Sequence, residues 1–112
     1  MRAMLVAIVE TLGDYRTVEA SSGFEALRLL PREHVDLILT DINMPDINGL
    51  ELISYLRDNP NYKNIPVFII STKGSAKDIE KGKQLGADEY LVKPFSPATL
   101  QQLINQYLNK MP

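Results

Sequence analysis

Hydrophobic positions in this chain switch repeatedly between a helical and a strand-like period. Met1, Leu5, Ile8, Val9 and Leu12 recur at helical spacing, and Gly13 is placed to cap that helix. Residues 15–20 read as a short strand. Ser22-Gly23-Phe24-Glu25 has the spacing of a capping box. It opens a second helix with Ala26, Leu27 and Leu30 as the buried stripe, which Pro31 should end. Residues 35–40 read as a buried strand. From Gly49 to about Arg57 the pattern is helical, with Leu50, Ile53 and Leu56 inward. Residues 65–70 form the most apolar strand. Ser75 caps a helix that runs to about Leu85 and closes at Gly86. Residues 89–92 are the last strand. Ser96-Pro97 is a strong helix start, because proline suits the first helical position. Leu100, Leu103, Ile104, Tyr107 and Leu108 then keep helical spacing.

The predicted order is therefore α-β-α-β-α-β-α-β-α. Alternation with such short runs implies right-handed crossovers and a doubly wound parallel sheet with helices on both faces. Neither an internal repeat nor an interdomain linker interrupts it, so residues 1–112 are expected to form one domain.

The ends of the predicted strands carry the chemistry. The run Val35-Asp36-Leu37-Ile38-Leu39-Thr40 ends on Asp41, and a turn follows at once. Ser71-Thr72 follows the second apolar strand, and Lys93-Pro94 the last. Open α/β sheets bind and react with ligands at the carboxyl ends of their strands. A carboxylate, a hydroxyl and an ammonium on three successive strand ends make a candidate phosphoryl pocket. Taken singly, such residues have plainer roles: an aspartate in a turn, a serine capping a helix, a solvated lysine. Tyr90 taken alone is an edge ring of the core, and His34 a solvated loop residue. Lys73, Lys77, Lys81 and Lys83, interleaved with Asp78 and Glu80, mark the solvent face of a helix.

Composition narrows the alternatives. With no cysteine and one histidine, disulfides, thiolate zinc sites and histidine-rich metal centres are excluded. A net charge of −2 gives no broad basic surface for nucleic acid. The apolar start is too short for a membrane span, Glu10 interrupts it, and it lacks a signal-peptide cleavage site. A cytoplasmic protein is expected. No glycine-rich phosphate loop follows any strand, which argues against a nucleotide or small-molecule binder.

Three motifs, in order, carry a family resemblance: Leu39-Thr40-Asp41-Ile42-Asn43-Met44-Pro45 with Asn48-Gly49; Pro66-Val67-Phe68-Ile69-Ile70-Ser71-Thr72; and Gly86-Ala87-Asp88-Glu89-Tyr90-Leu91-Val92-Lys93-Pro94-Phe95. The chain resembles the receiver domain of two-component response regulators, most closely the single-domain chemotaxis (CheY-like) type with its flavodoxin-like fold. The resemblance implies that Asp41 is a phosphoacceptor fed by a sensor histidine kinase's phosphohistidine. It implies that Asp41 and the backbone carbonyl of Asn43 ligate Mg²⁺. Ser71 and Lys93 would hold phosphoryl oxygens, and Tyr90 would be an aromatic switch that turns inward when Ser71 moves. The Lys93–Pro94 peptide is expected to be cis. Phosphorylation would then alter a surface running from Ser75 at one end to Tyr107 at the other, read by a downstream target protein. Such a module is a substrate with at most weak self-phosphatase activity, not a conventional enzyme.

The chain also departs from that family pattern. Family members begin with an apolar strand ending in an acidic pair that holds Mg²⁺, whereas here Met1 and Arg2 align with the first helix. Asp14, Asp36 and Asp46 are misplaced to substitute. The expectation is an N-terminally truncated or incomplete receiver lacking its central first strand, or one whose gap is filled by rearrangement or by a second molecule in a swapped homodimer. With the acidic pair absent, the alternative function is a phosphorylation-independent receiver-like interaction module.

Overall fold

The computed structural model describes residues 2–13, 15–44 and 46–108. Met1 of the first apolar stripe, Asp14, Pro45 of the Asp41 motif and residues 109–112 lie outside the described residues. Among the described residues, five helices and three strands follow in order: α1 (Arg2–Glu10), α2 (Gly23–Leu29), β1 (Ile38–Thr40), α3 (Gly49–Asp58), β2 (Val67–Ser71), α4 (Ala76–Leu85), β3 (Glu89–Val92) and α5 (Pro97–Leu108). A 3-10 turn at Leu30–Arg32 follows α2 and contains Pro31, which stops the α-helix as expected.

The strands form one parallel sheet in the order β1-β2-β3. Ile38 pairs with Val67, and Ser71 with Val92. β2 is central and its five residues are all buried, as strands covered on both faces must be. Val67 and Ile69 point to one side, into a core with Leu52, Ile53 and Leu56 of α3 and Ala26 and Leu27 of α2. Phe68 and Ile70 point to the other, against Ile8 of α1 and Leu100 and Ile104 of α5. The doubly wound arrangement read from the alternation is thus realised, with α2, α3 and α4 on one face and α1 and α5 on the other.

Two strand expectations are corrected. Residues 15–20 form no strand. A strand exists through its ladder partner, and among the described strands β1 pairs with β2 alone. β1 is also shorter than the expected 35–40. Its ladder starts where the Ile38 amide donates to the Pro66 carbonyl at 3.0 Å. Pro66 has no N–H to donate in return, so pairing cannot extend further back.

The helix starts follow their capping residues. Asn48 and Glu51 form a reciprocal capping box on α3. The Ser75 Oγ accepts from the Asp78 amide at 3.1 Å on α4, and the Ser96 Oγ accepts from Thr99 at the same distance on α5. On α2 the Ser22 Oγ accepts from the Glu25 amide at 3.1 Å. The returning Glu25 carboxylate, however, takes the amide of Ser21 at 2.6 Å and not that of Ser22. The next two amides are taken from outside the helix: Gly23 and Phe24 each donate to one oxygen of Asp46, both at 2.9 Å. A side chain at position 23 would collide with Ile47. The loop after β1 therefore rests directly on the start of α2. Partial desolvation works to raise the pKa of Asp46, but the amides of Phe24, Ile47 and Gly23 and the Ser22 hydroxyl outweigh it and hold the carboxyl down at about 2.

The opposite end of the sheet is tied by Arg57. Its Nε and Nη2 donate to the Gly86 carbonyl at 2.9 and 2.7 Å, and its Nη1 to the carbonyls of Lys63 and Ile65 at 3.0 and 2.8 Å. Nη2 also reaches Asp88 at 2.9 Å, whose same oxygen accepts the Val67 amide at 2.8 Å. Gly86 caps α4 at φ +121°, and a Cβ there would meet the Arg57 side chain at 2.7 Å.

Two outcomes are expected. Arg57→Ala should lower stability in urea unfolding by about 2–3 kcal/mol, because several partly buried carbonyls lose a charged donor. Arg57→Lys should recover little of this, since a point charge cannot replace the fork. The folded pKa of Asp46 is depressed below the ordinary value of about 3.9, so its contribution is complete above about pH 4 and is lost as pH falls toward 2. The stability gap between the unmodified protein and Asp46→Asn, read from denaturant midpoints, should be constant above about pH 5 and narrow on acidification to pH 2.

Candidate functional site

The sheet register brings three chemistry-bearing residues to one edge. Thr40, the last residue of β1, is buried, and Asp41 emerges immediately after it. Ser71 ends β2 and is 1% exposed. Lys93 follows β3, its amide bonded to the Ser71 carbonyl at 2.8 Å. Lys93 Nζ lies 3.1 Å from Asp41 Oδ2, with side-chain exposures of 23% and 34%. The pair is thus half-shielded yet open to an incoming group. The Lys93–Pro94 bond is cis, as expected.

Local bonds aim the Asp41 carboxylate. Its Oδ1 accepts from the Asn43 amide at 3.3 Å, an Asx-type turn. The Thr40 hydroxyl donates to the Asp41 carbonyl at 3.0 Å. The Gly49 amide donates to the Ile42 carbonyl at 2.9 Å. A Cβ on Gly49 would collide with the Asp41 carbonyl oxygen. That close approach lets α3 begin directly beside the acidic residue, and it is the physical content of the Asn48-Gly49 motif.

Ser71 and Tyr90 are linked through Lys73. The Ser71 Oγ accepts from the Lys73 amide at 3.0 Å, which leaves its own proton available to donate. The Tyr90 hydroxyl donates to the Lys73 carbonyl at 2.5 Å, and the ring is half-buried. The expected phosphoacceptor, serine, lysine and aromatic residue are therefore brought together at one end of the sheet. His34 is elsewhere: it is 89% exposed and pairs with Asp36 at 2.9 Å, near the amino ends of the strands. Lys73, Lys77, Lys81 and Lys83 are all exposed.

Two residues escaped sequence reasoning. Asp46 was set aside as lying beyond the turn, yet it clamps that turn to α2; its partners are 22 and 23 residues upstream, beyond any local motif. The role of Lys73 is carried by its backbone and leaves no side-chain signal. For a cation, the residues expected as ligands are the Asp41 carboxylate and the Asn43 carbonyl. Among the described residues no group of three or more acidic, histidine or cysteine side chains could hold a metal ion. Mg²⁺ requires six oxygens in near-octahedral geometry, so the described protein donors do not by themselves make a complete site.

Along the free edge of β3 a groove of 440 Å³ runs against α5, lined by Tyr90, Val92, Phe95, Leu103 and neighbouring residues. Tyr107 of α5 lies edge-on to Phe68 at 5.0 Å, with its hydroxyl donating at 2.7 Å to Glu89, one of the groove's lining residues. Burial, then Glu89, pushes its pKa up to about 12. Among the described residues no helix is long and apolar enough to cross a membrane.

Comparison with known proteins agrees with this geometry. The response regulator receiver domain family matches residues 1–105. A chemotaxis protein CheY homolog of Campylobacter jejuni is 34% identical over 109 residues, covering 96% of this chain and 84% of that protein. A putative response regulator from Chloroflexus aurantiacus superposes with a TM-score of 0.90 at 29% identity, over 97% of this chain and 88% of that one. The receiver domain of a Pseudomonas aeruginosa sensor histidine kinase, solved with a magnesium ion coordinated in its active-site cleft, gives 0.86 at 28% identity, over 97% and 88%. Sequence, fold and the placement of an aspartate, a serine and a lysine at one sheet end agree: the chain belongs to the CheY-like response regulator receiver domains of two-component signal transduction.

Proposed function

We propose that Asp41 accepts a phosphoryl group from the phosphohistidine of a partner histidine kinase, and that the phosphoryl charge changes the face formed by α4, β3 and α5. The observation that carries this reading is the Asp41–Lys93 pair at 3.1 Å, on the strand end next to Ser71.

The step balances simply. A carboxylate oxygen of Asp41 forms a P–O bond as the P–N bond of the donor breaks, and the electron pair leaves on the imidazole nitrogen, which takes up a proton. Phosphoryl transfer needs positioning and charge neutralisation more than covalent help. The Asn43 amide holds the acceptor carboxylate in place. Lys93 sits beside Oδ2 to neutralise charge on a phosphoryl oxygen, and the Ser71 proton serves another. Mg²⁺, by analogy with the Pseudomonas aeruginosa domain, would neutralise the same oxygens. The product is an acyl phosphate with a charge of about −1.5 to −2.

For Ser71 to turn toward that group it must loosen its bond to the Lys73 amide, and the Lys73 carbonyl is the acceptor of Tyr90. Phosphorylation is thereby coupled to the ring on β3 and to the groove beside α5, where a downstream target would bind. The protein is a phosphoacceptor whose only chemistry is slow loss of its own phosphoryl group. The phosphorylation-independent reading is not favoured, because the acceptor, the cation and the hydroxyl all stand in register.

Intact-mass spectrometry after incubation with acetyl phosphate tests this, with and without Mg²⁺. A single phosphoryl adduct is expected, and Asp41→Asn should abolish it. An adduct that survives in Asp41→Asn, or none at any Mg²⁺ concentration, would sink the proposal. Lys93→Met should slow adduct formation by roughly 10²-fold. Its urea midpoint should stay close to that of the unmodified protein, since a pair this exposed contributes about 1 kcal/mol at most.

A further inference from the structure

Gly82 lies in the interior of α4, where glycine is the poorest helix former after proline. It is also buried. A Cβ at this position would stand 2.8 Å from Ile69 Cδ1, and 3.1 and 3.2 Å from Cδ2 and Cε2 of Tyr90. The space a side chain would take is bounded by the tip of Ile69 and by the edge of the Tyr90 ring, whose hydroxyl is fastened to the Lys73 carbonyl on the loop leading into α4. A second contact repeats the arrangement two residues along β3. Val92, on the same strand face as Tyr90, lies where a Cβ on Gly74 would stand 2.7 Å from its Cγ1. Two side chains of β3 thus each sit against a glycine, one in α4 and one in its leading loop.

We infer that Gly82 is a positioning residue for Tyr90. By leaving out one methyl it lets the ring lie against α4 with its hydroxyl on Lys73, and so holds the ring in this arrangement before any phosphoryl group arrives. The inference deepens the reading of Tyr90 as the switch and rests on it. The helix gives up intrinsic stability at position 82, and the ring contact is what that loss makes room for. A glycine present for close helix–sheet packing alone would have no such dependence on Tyr90, because Ile69 would remain its neighbour.

A double-mutant cycle separates the two. Gly82→Ala should lower the urea midpoint by about 0.5 M in the unmodified background, where the new methyl meets the ring. In a Tyr90→Ala background the same substitution should lower it by much less, because the contact with Ile69 remains while the contact with the ring is gone. Shifts of equal sign and size in both backgrounds would overturn the inference. A second readout follows the ring itself. The Tyr90 ring resonance, assigned by its loss in Tyr90→Phe, should move in Gly82→Ala, and amide exchange at residues 74–76 should quicken. Lys81→Ala, on the exposed side of the same helix, should change neither. Acetyl phosphate should move the Tyr90 resonance of the unmodified protein. Coupling in the cycle with a resonance that acetyl phosphate leaves untouched would overturn the switch reading; absence of coupling would overturn the seating by Gly82.

Discussion

The site depends on β2 being locked in register between its two neighbours. All five of its residues are buried, and apolar side chains leave it alternately toward the α2–α3 core and the α1–α5 core. A slip of one residue would exchange those faces and expose both cores at once. The same register that protects the cores also places the ends of β1 and β3. Thr40 pairs with Ile69 and Val92 pairs with Ser71. Asp41 and Lys93 are the next residues out from those pairs, so their 3.1 Å contact is a consequence of apolar packing several residues away.

Electrostatics at this end are kept few and local. Among the described residues the Asp41 carboxylate and the Lys93 ammonium meet at 3.1 Å, with the Ser71 hydroxyl on the neighbouring strand end. That arrangement is neutral at rest and strongly unbalanced once a phosphoryl group is added. The chain of contacts from Ser71 through Lys73 to Tyr90 is short, and each link is a hydrogen bond that can have two arrangements.

Much of this was legible in the chain because strand ends announce themselves. Asp41, Ser71 and Lys93 each follow an apolar run, and their capping and turn neighbours are local. The doubly wound layering was legible for the same reason, since period changes mark helices and strands. What stayed hidden depends on partners distant in sequence. The tract 15–20 has a strand-like pattern, but pattern cannot reveal whether a ladder partner is present. The shortness of β1 is decided by Pro66, the residue that leads into β2. Asp46 looked idle because the amides it serves belong to α2. Gly82 carries no local sign of its contacts, because Ile69 and Tyr90 lie on other elements.

The Arg57 fork has a mechanical consequence. Two of its bonds end on the carbonyl of Gly86, the residue that closes α4. The helix is therefore anchored at its carboxyl end, while its amino end is joined to the loop that carries Lys73. Its ten residues make an arm of roughly 15 Å. A helix held this way tilts about a fulcrum and does not slide. A small rearrangement beside Ser75 is then greatest at the exposed amino end of α4 and fades to nothing near Leu85, so the surface it alters is graded along the helix.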